Sequence, residues 1–135
     1  MDVMALARQA GVEELIEIVG HVPRRDSLQE MLDASALLIL QPVTTVSIPA
    51  KLYEYLVASR PILALAEPGG ETADLVLRSG IGVVAQAEDE DAIEAALVAV
   101  LRQAQEPGTP VSPQLYDGAL RAAELEHVLR TAMSA

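Results

Sequence analysis

Short aliphatic runs alternating with stretches of helical spacing constrain this chain more than any other feature. Ile16-Glu17-Ile18-Val19, Ala36-Leu37-Leu38-Ile39-Leu40, Pro61-Ile62-Leu63-Ala64-Leu65 and Ile81-Gly82-Val83-Val84 are each too short for a buried helix and are bounded by Gly, Pro or polar residues. Both traits favour strands. The segments between them have a helical period. Residues 27 to 34 open with Ser27 and carry Glu30 three places on, the pattern of a capping box, with Leu28, Met31 and Leu32 on one face. Residues 48 to 58 place Leu52, Tyr55, Leu56 and Ser59 together, and residues 71 to 78 and 90 to 103 supply two further helices. Strand and helix in strict alternation imply βαβ units with right-handed crossovers. The expected fold is therefore α/β, a Rossmann-like three-layer sandwich whose parallel sheet is covered by helices on both faces. Residues 1 to 105 are expected to form this domain. Glu106 to Pro113, with three prolines, reads as a linker, and a last helix over about 114 to 132 completes the second segment, 106 to 135.

Charge and composition exclude several functions. The chain has 135 residues, 51% of them hydrophobic, with no Cys, Trp or Phe. Its core must be aliphatic, it lacks an aromatic platform for stacking single-stranded nucleic acid, and thiolate metal sites and cysteine nucleophiles are ruled out. With 20 Asp and Glu against 9 Lys and Arg, the formal net charge is -11, which repels a phosphate backbone or an anionic membrane surface. No nucleic-acid partner is expected. No apolar stretch reaches the ~20 residues needed to span a bilayer, and the first residues lack a signal-peptide layout, so a cytoplasmic location is expected. The acidic run Glu88 to Asp91 sits at a predicted helix start and reads as a complement to the helix dipole rather than a metal site. No metal or cofactor is expected.

In open parallel sheets ligands sit beyond the carboxyl ends of the strands, which directs attention to the loops starting at Gly20, Gln41, Glu67 and Gln86. One of these loops and its helix carry a specific pattern: Pro49-Ala-Lys51-Leu-Tyr-Glu54-Tyr-Leu-Val-Ala-Ser-Arg60-Pro61-Ile. This resembles the P-x-K-x-x-E-Y-L/M-A-x-G-x-P-V block of the group 1 (family 4) retaining glycosyltransferases, whose C-terminal half of a GT-B fold holds the sugar nucleotide. Upstream, Ala10-Gly-Val to Gly20-His21-Val22 and the run Leu28 to Leu40 are similar to the blocks that precede it in that family. Downstream, Pro68-Gly69-Gly70-Glu71 and Ser79-Gly80-Ile-Gly82 are similar to the blocks that follow. The resemblance covers about residues 6 to 103.

It implies a donor-nucleotide site built residue by residue. Glu54 matches the carboxylate that accepts hydrogen bonds from the ribose hydroxyls. Ser47, Ile48 and the residues up to Ala50 match a segment whose backbone amides face the diphosphate, and His21 with Val22 match the turn against the nucleobase. Lys51, the only lysine, either reaches the phosphates or pairs with Glu54 at three-residue spacing. Read without the resemblance, Glu54 is a solvent-facing helix carboxylate, His21 a polar loop residue and Gly69-Gly70 a turn before a helix. Val46 stands eight places before Glu54, where many members of the family carry the Glu that addresses the donor sugar. The family's catalytic Arg and Lys fall before Met1, so no catalytic residue is assigned. The chain is expected to be the donor-binding domain without its N-terminal acceptor-binding domain, inactive alone, with any peripheral membrane association made only through that other domain. Two rival readings remain: a non-catalytic α/β scaffold or partner-binding module of the same fold, and a flavodoxin-like regulatory domain. The second is weakened by the lack of an acidic cluster after the first predicted strand.

Overall fold

The computed structural model describes every residue except Thr109 and Ala135, together with all side chains but those of Arg121 and Glu124. Its centre is a parallel sheet of three strands in the order β1 (Leu37–Gln41), β2 (Ile62–Ala66), β3 (Gly82–Ala85), with Leu37 opposite Ile62 and Ile62 opposite Gly82. Helices α3 (Ala50–Ala58) and α4 (Glu71–Arg78) connect the strands, and α5 (Glu90–Gln103) follows β3. The chain is thus α/β with helices on both sheet faces, as the alternation requires.

The side-chain period of two sorts the core into two layers. On one face Ile39, Ile62, Ala64 and Ala66 meet Leu52 and Leu56 of α3 and Ala73, Leu75 and Val76 of α4. On the other, Leu63 and Ala85 meet Ala96 and Val100 of α5. β2 is buried along both faces, which is why its sequence is an unbroken aliphatic run. Small residues bring the layers close: a Cβ on Gly82 would lie 2.1 Å from the Val76 side chain, so β3 passes α4 at a distance that excludes any other residue without a shift. Complete burial of Leu52, Leu56, Ile62, Val76 and Val100, about 1.5–3 kcal/mol each, makes this aliphatic packing the main source of stability.

β1 is an edge strand. Its register turns the N–H and C=O groups of Leu38 and Leu40 away from β2, and the Leu38 carbonyl accepts a hydrogen bond from the Tyr55 hydroxyl at 3.2 Å. Burial raises the pKa of that phenol above its ordinary value, so the hydroxyl remains a donor.

The first predicted strand is corrected. Ile16 to Val19 joins no ladder, and Ile18 and Val19 are 61% and 59% exposed. Apolar, β-branched character makes a run fit for a sheet, but a strand exists only where another backbone supplies hydrogen bonds, and none lies beside this run among the described residues. The segment follows α1 (Val3–Ala10) and a short 3-10 turn, Glu13–Leu15.

The capping box is also corrected. Helix α2 spans Arg24–Asp33 and starts after Pro23, three residues before the predicted cap, leaving Ser27 inside the first turn. Pro23, held at φ -55, sets the helix entry without a side-chain cap. The last helix starts later than its predicted bound. Pro113–Leu115 is a 3-10 turn, and α6 runs Gly118–Met133 behind the Asp117 cap, whose carboxylate accepts from the Ala119 and Leu120 amides. The linker is not loose: Val111 is 2% exposed in the main core, and its amide donates to the Ser59 hydroxyl. No helix among the described residues is long and apolar enough to cross a membrane.

Candidate functional site

Helices α2 and α3 lie side by side and carry the polar groups that the sequence reading singles out. Glu54 is placed by Leu52 and Leu56, which anchor α3 in the core and turn the intervening positions outward. Its two carboxylate oxygens have different partners. Oε1 lies 2.7 Å from the Arg24 guanidinium at the start of α2, and Oε2 lies 2.9 Å from Lys51 Nζ one turn back on α3. Hydrogen bonds from Lys51 and then from Arg24 hold the Glu54 pKa below the ordinary carboxylate value, overcoming a small opposing effect of burial. Glu54 is therefore ionised at neutral pH. Lys51 Nζ also reaches the Ser27 hydroxyl at 3.4 Å, which is what that side chain does in place of capping a helix.

Beside this cluster opens a groove of about 510 Å³, lined by Gly20, His21, Val22, Arg24, Ser27 and Lys51. Gly20 has a φ of +69, in the left-handed region that favours glycine, and it turns the chain from the Ile16–Val19 segment into His21. Glu54 itself lines a smaller, largely apolar cavity of about 210 Å³ with Leu28, Met31, Leu32 and Val57. The fold thus brings His21, Val22, Lys51 and Glu54 into one region, although about thirty positions separate the first pair from the second.

Ser47 and Ile48 are placed differently. The Ser47 hydroxyl accepts from Gln41 Nε2 at 2.9 Å, and its carbonyl accepts from the buried Thr72 hydroxyl at 2.9 Å. The Ser47 and Ile48 amides donate to no acceptor among the described residues. The Ile48 side chain faces away from the groove, into a cavity of about 380 Å³ shared with Tyr53, Leu115 and Tyr116. Val46, eight places before Glu54, is exposed and brings no polar group to the site.

The glycine pair is a turn. Gly69 has a φ of +77, Gly70 caps α4, and a Cβ on Gly70 would meet the Thr45 backbone at 3.1 Å. The Glu71 amide donates to the Thr45 carbonyl at 2.8 Å, so the loop before α3 occupies the start of α4. Asp89, in the acidic run, caps α5 by accepting from the Ala92 amide at 2.9 Å. Among the described residues no three His, Asp or Glu side chains converge as a metal centre.

Arg24 is the site residue that the sequence alone does not single out. It lies 30 positions from Glu54, and the signal that points to it is its place on the first turn of a helix whose apolar face packs toward α3. Comparison with known protein families, with curated proteins and with solved structures finds no match for this chain.

Proposed function

We propose that this chain is the donor-nucleotide-binding domain of a retaining glycosyltransferase, the C-terminal half of a GT-B fold, acting on a nucleotide-activated sugar. The observation that carries the reading is the convergence of Gly20–Val22 with Lys51 along one groove, with Glu54 beside it through its ion pair to Lys51, the arrangement that the sequence resemblance requires of segments far apart in the chain. Glu54 is ionised and 23% exposed, and each of its oxygens retains a lone pair beyond those bound to Arg24 and Lys51. A carboxylate with that capacity suits the two adjacent hydroxyls of a ribose. The amides of Ser47 and Ile48 precede the α3 N-terminus, where the helix dipole favours negative charge.

The same reading places the acceptor and the cations that neutralise the leaving diphosphate on polypeptide outside this domain. The exposed Val46 favours the second reading, a scaffold or partner-binding module, because it leaves the site without a side chain for the donor sugar.

Nuclear magnetic resonance titration with UDP, GDP and ADP separates the two. One nucleotide should move the amides of Gly20–Val22 and Ser47–Glu54, and Glu54→Ala should weaken that binding severalfold. If none of the three moves either segment, the donor-site reading is wrong and the scaffold reading stands.

A further inference from the structure

Aromatic residues are scarce in this chain, and two of them meet. The sequence holds three Tyr and neither Phe nor Trp, yet Tyr53 of α3 and Tyr116, more than sixty positions later, line the same cavity of about 380 Å³. That volume lies within the range of small-molecule sites. No residue lines both this cavity and the groove beside α2 and α3. One wall is α4, where Glu71, Leu75 and Arg78 recur at the spacing of a single helix face. Another is the segment after the proline-rich linker, whose Leu115 and Tyr116 pack against the main core and are held by it. The charge here is negative. Arg78 donates from Nε to the Asp74 carboxylate at 2.8 Å, and that pair is neutral. Glu71 is exposed and has no ion-pair partner among the described residues. Asp117, whose carboxylate caps α6, stands next to the lining Gly118 and adds a second negative charge.

We propose that this cavity binds an organic ammonium ion, its charge held by Glu71 and the rings of Tyr53 and Tyr116 and its apolar part by Ile48, Leu75 and Leu115. An aromatic ring carries negative charge density on its face and attracts a cation lying over it, so the two Tyr and the carboxylate act in the same sense. Aliphatic side chains suit the carbon body of such an ion. Other ligands fit less well. An anion meets Glu71, and the one cation in the lining is already matched by Asp74. A hard metal ion takes about six oxygens or more, and the lining offers a single carboxylate. The net charge of -11 favours the approach of a cation to this surface. What the groove binds does not enter, since the two sites share no lining residue.

The test is an amide-shift titration of the whole chain with choline chloride and, in parallel, with its neutral isostere, in which a tert-butyl group replaces the trimethylammonium. Sodium chloride at matched ionic strength is the blank. Choline should move the amides of Ile48, Tyr53, Glu71, Leu75 and Tyr116 and leave Gly20–Val22 in place. The isostere should bind at least about tenfold more weakly, since it keeps the shape and loses the charge. Tyr53→Leu should weaken choline about fivefold, the worth of one cation–π contact, and Glu71→Gln about as much. Glu90→Gln removes an exposed carboxylate at the start of α5 and should change nothing, which separates a site from general attraction to an acidic surface. Tyr53 and Glu71 are both exposed, so a dispersed spectrum of each variant establishes that it folds. The proposal is overturned if choline moves none of these amides, or if the isostere binds as tightly as choline. It is equally overturned if Tyr53→Leu and Glu71→Gln both bind choline as the parent does, or if Glu90→Gln costs as much as Glu71→Gln.

Discussion

The stretch from β1 to α5 and the segments flanking it are held by different physics. From residue 37 to 103 each helix and strand buries at least one aliphatic side chain, and the central strand is covered on both faces. In α1 only Ala7 is buried, the Ile16–Val19 run after it joins no ladder among the described residues, and α6 keeps Leu125, Val128 and Leu129 in solvent. The flanks are nonetheless well-formed locally: Asp2 caps α1 and Asp117 caps α6, and an Arg130–Glu126 ion pair braces the latter. Good local helix signals are therefore present in both regions. What separates them is burial, since a cap contributes about 1 kcal/mol and a fully buried Leu about twice that or more.

Four measurements break or sharpen that contrast. The largest expected effect is in the core: Leu56→Ala should lower stability by about 2–5 kcal/mol in urea denaturation, whereas Leu129→Ala on α6 should stay within about 0.5 kcal/mol. Equal losses at the two sites would erase the distinction. Gly82→Ala comes next, since its Cβ must displace Val76; a loss of about 1–3 kcal/mol is expected in the same assay, and Val76→Ala should rescue part of it. Val111→Ala tests where the boundary lies. A loss of about 1.5 kcal/mol, from two buried methyl groups, would assign the 106–113 linker to the core, and a neutral result would return it to the flank.

The smallest effect belongs to the ion pairs beside the groove. Because the folded pKa of Glu54 lies below its ordinary value of 4.5, its ion pairs contribute stability that is present above about pH 4.5 and lost as the pH falls through the lowered folded value. Both cationic partners are substantially exposed, so that contribution is below about 1 kcal/mol per pair. Comparing acid unfolding of the parent with Glu54→Gln should show a shallower loss in the variant across that window; superimposable curves would mean that the ion pairs do not form in solution.

Much of the fold is legible in the sequence because its signals are local. The α4 and α5 boundaries follow from caps and turn glycines at Gly70, Asp89 and Gly80, and β2, the buried central strand, reads as an unbroken aliphatic run. Ile16–Val19 misleads because its composition suits a strand while the partner that would make it one is not a property of the run itself. Ser27 resembles a cap, yet Pro23 offers an earlier entry to the helix. At the site, Lys51 and Glu54 declare themselves by three-residue spacing, whereas Arg24 joins them only through the packing of α2 on α3. The docking of Val111 is hidden among prolines, since one valine has no period.

The loop from Gln41 to Pro49 has two ties to α4, Thr72 to the Ser47 carbonyl and Glu71 to the Thr45 carbonyl. Mechanically, the loop and the start of α4 form one rigid unit, and the amides at Ser47 and Ile48 ride on it. A ligand spanning the groove and those amides would clamp α2 to α4 across α3. Hydrogen exchange at the first turn of α4 would then slow on binding, reporting occupancy from a helix that lines no part of the groove.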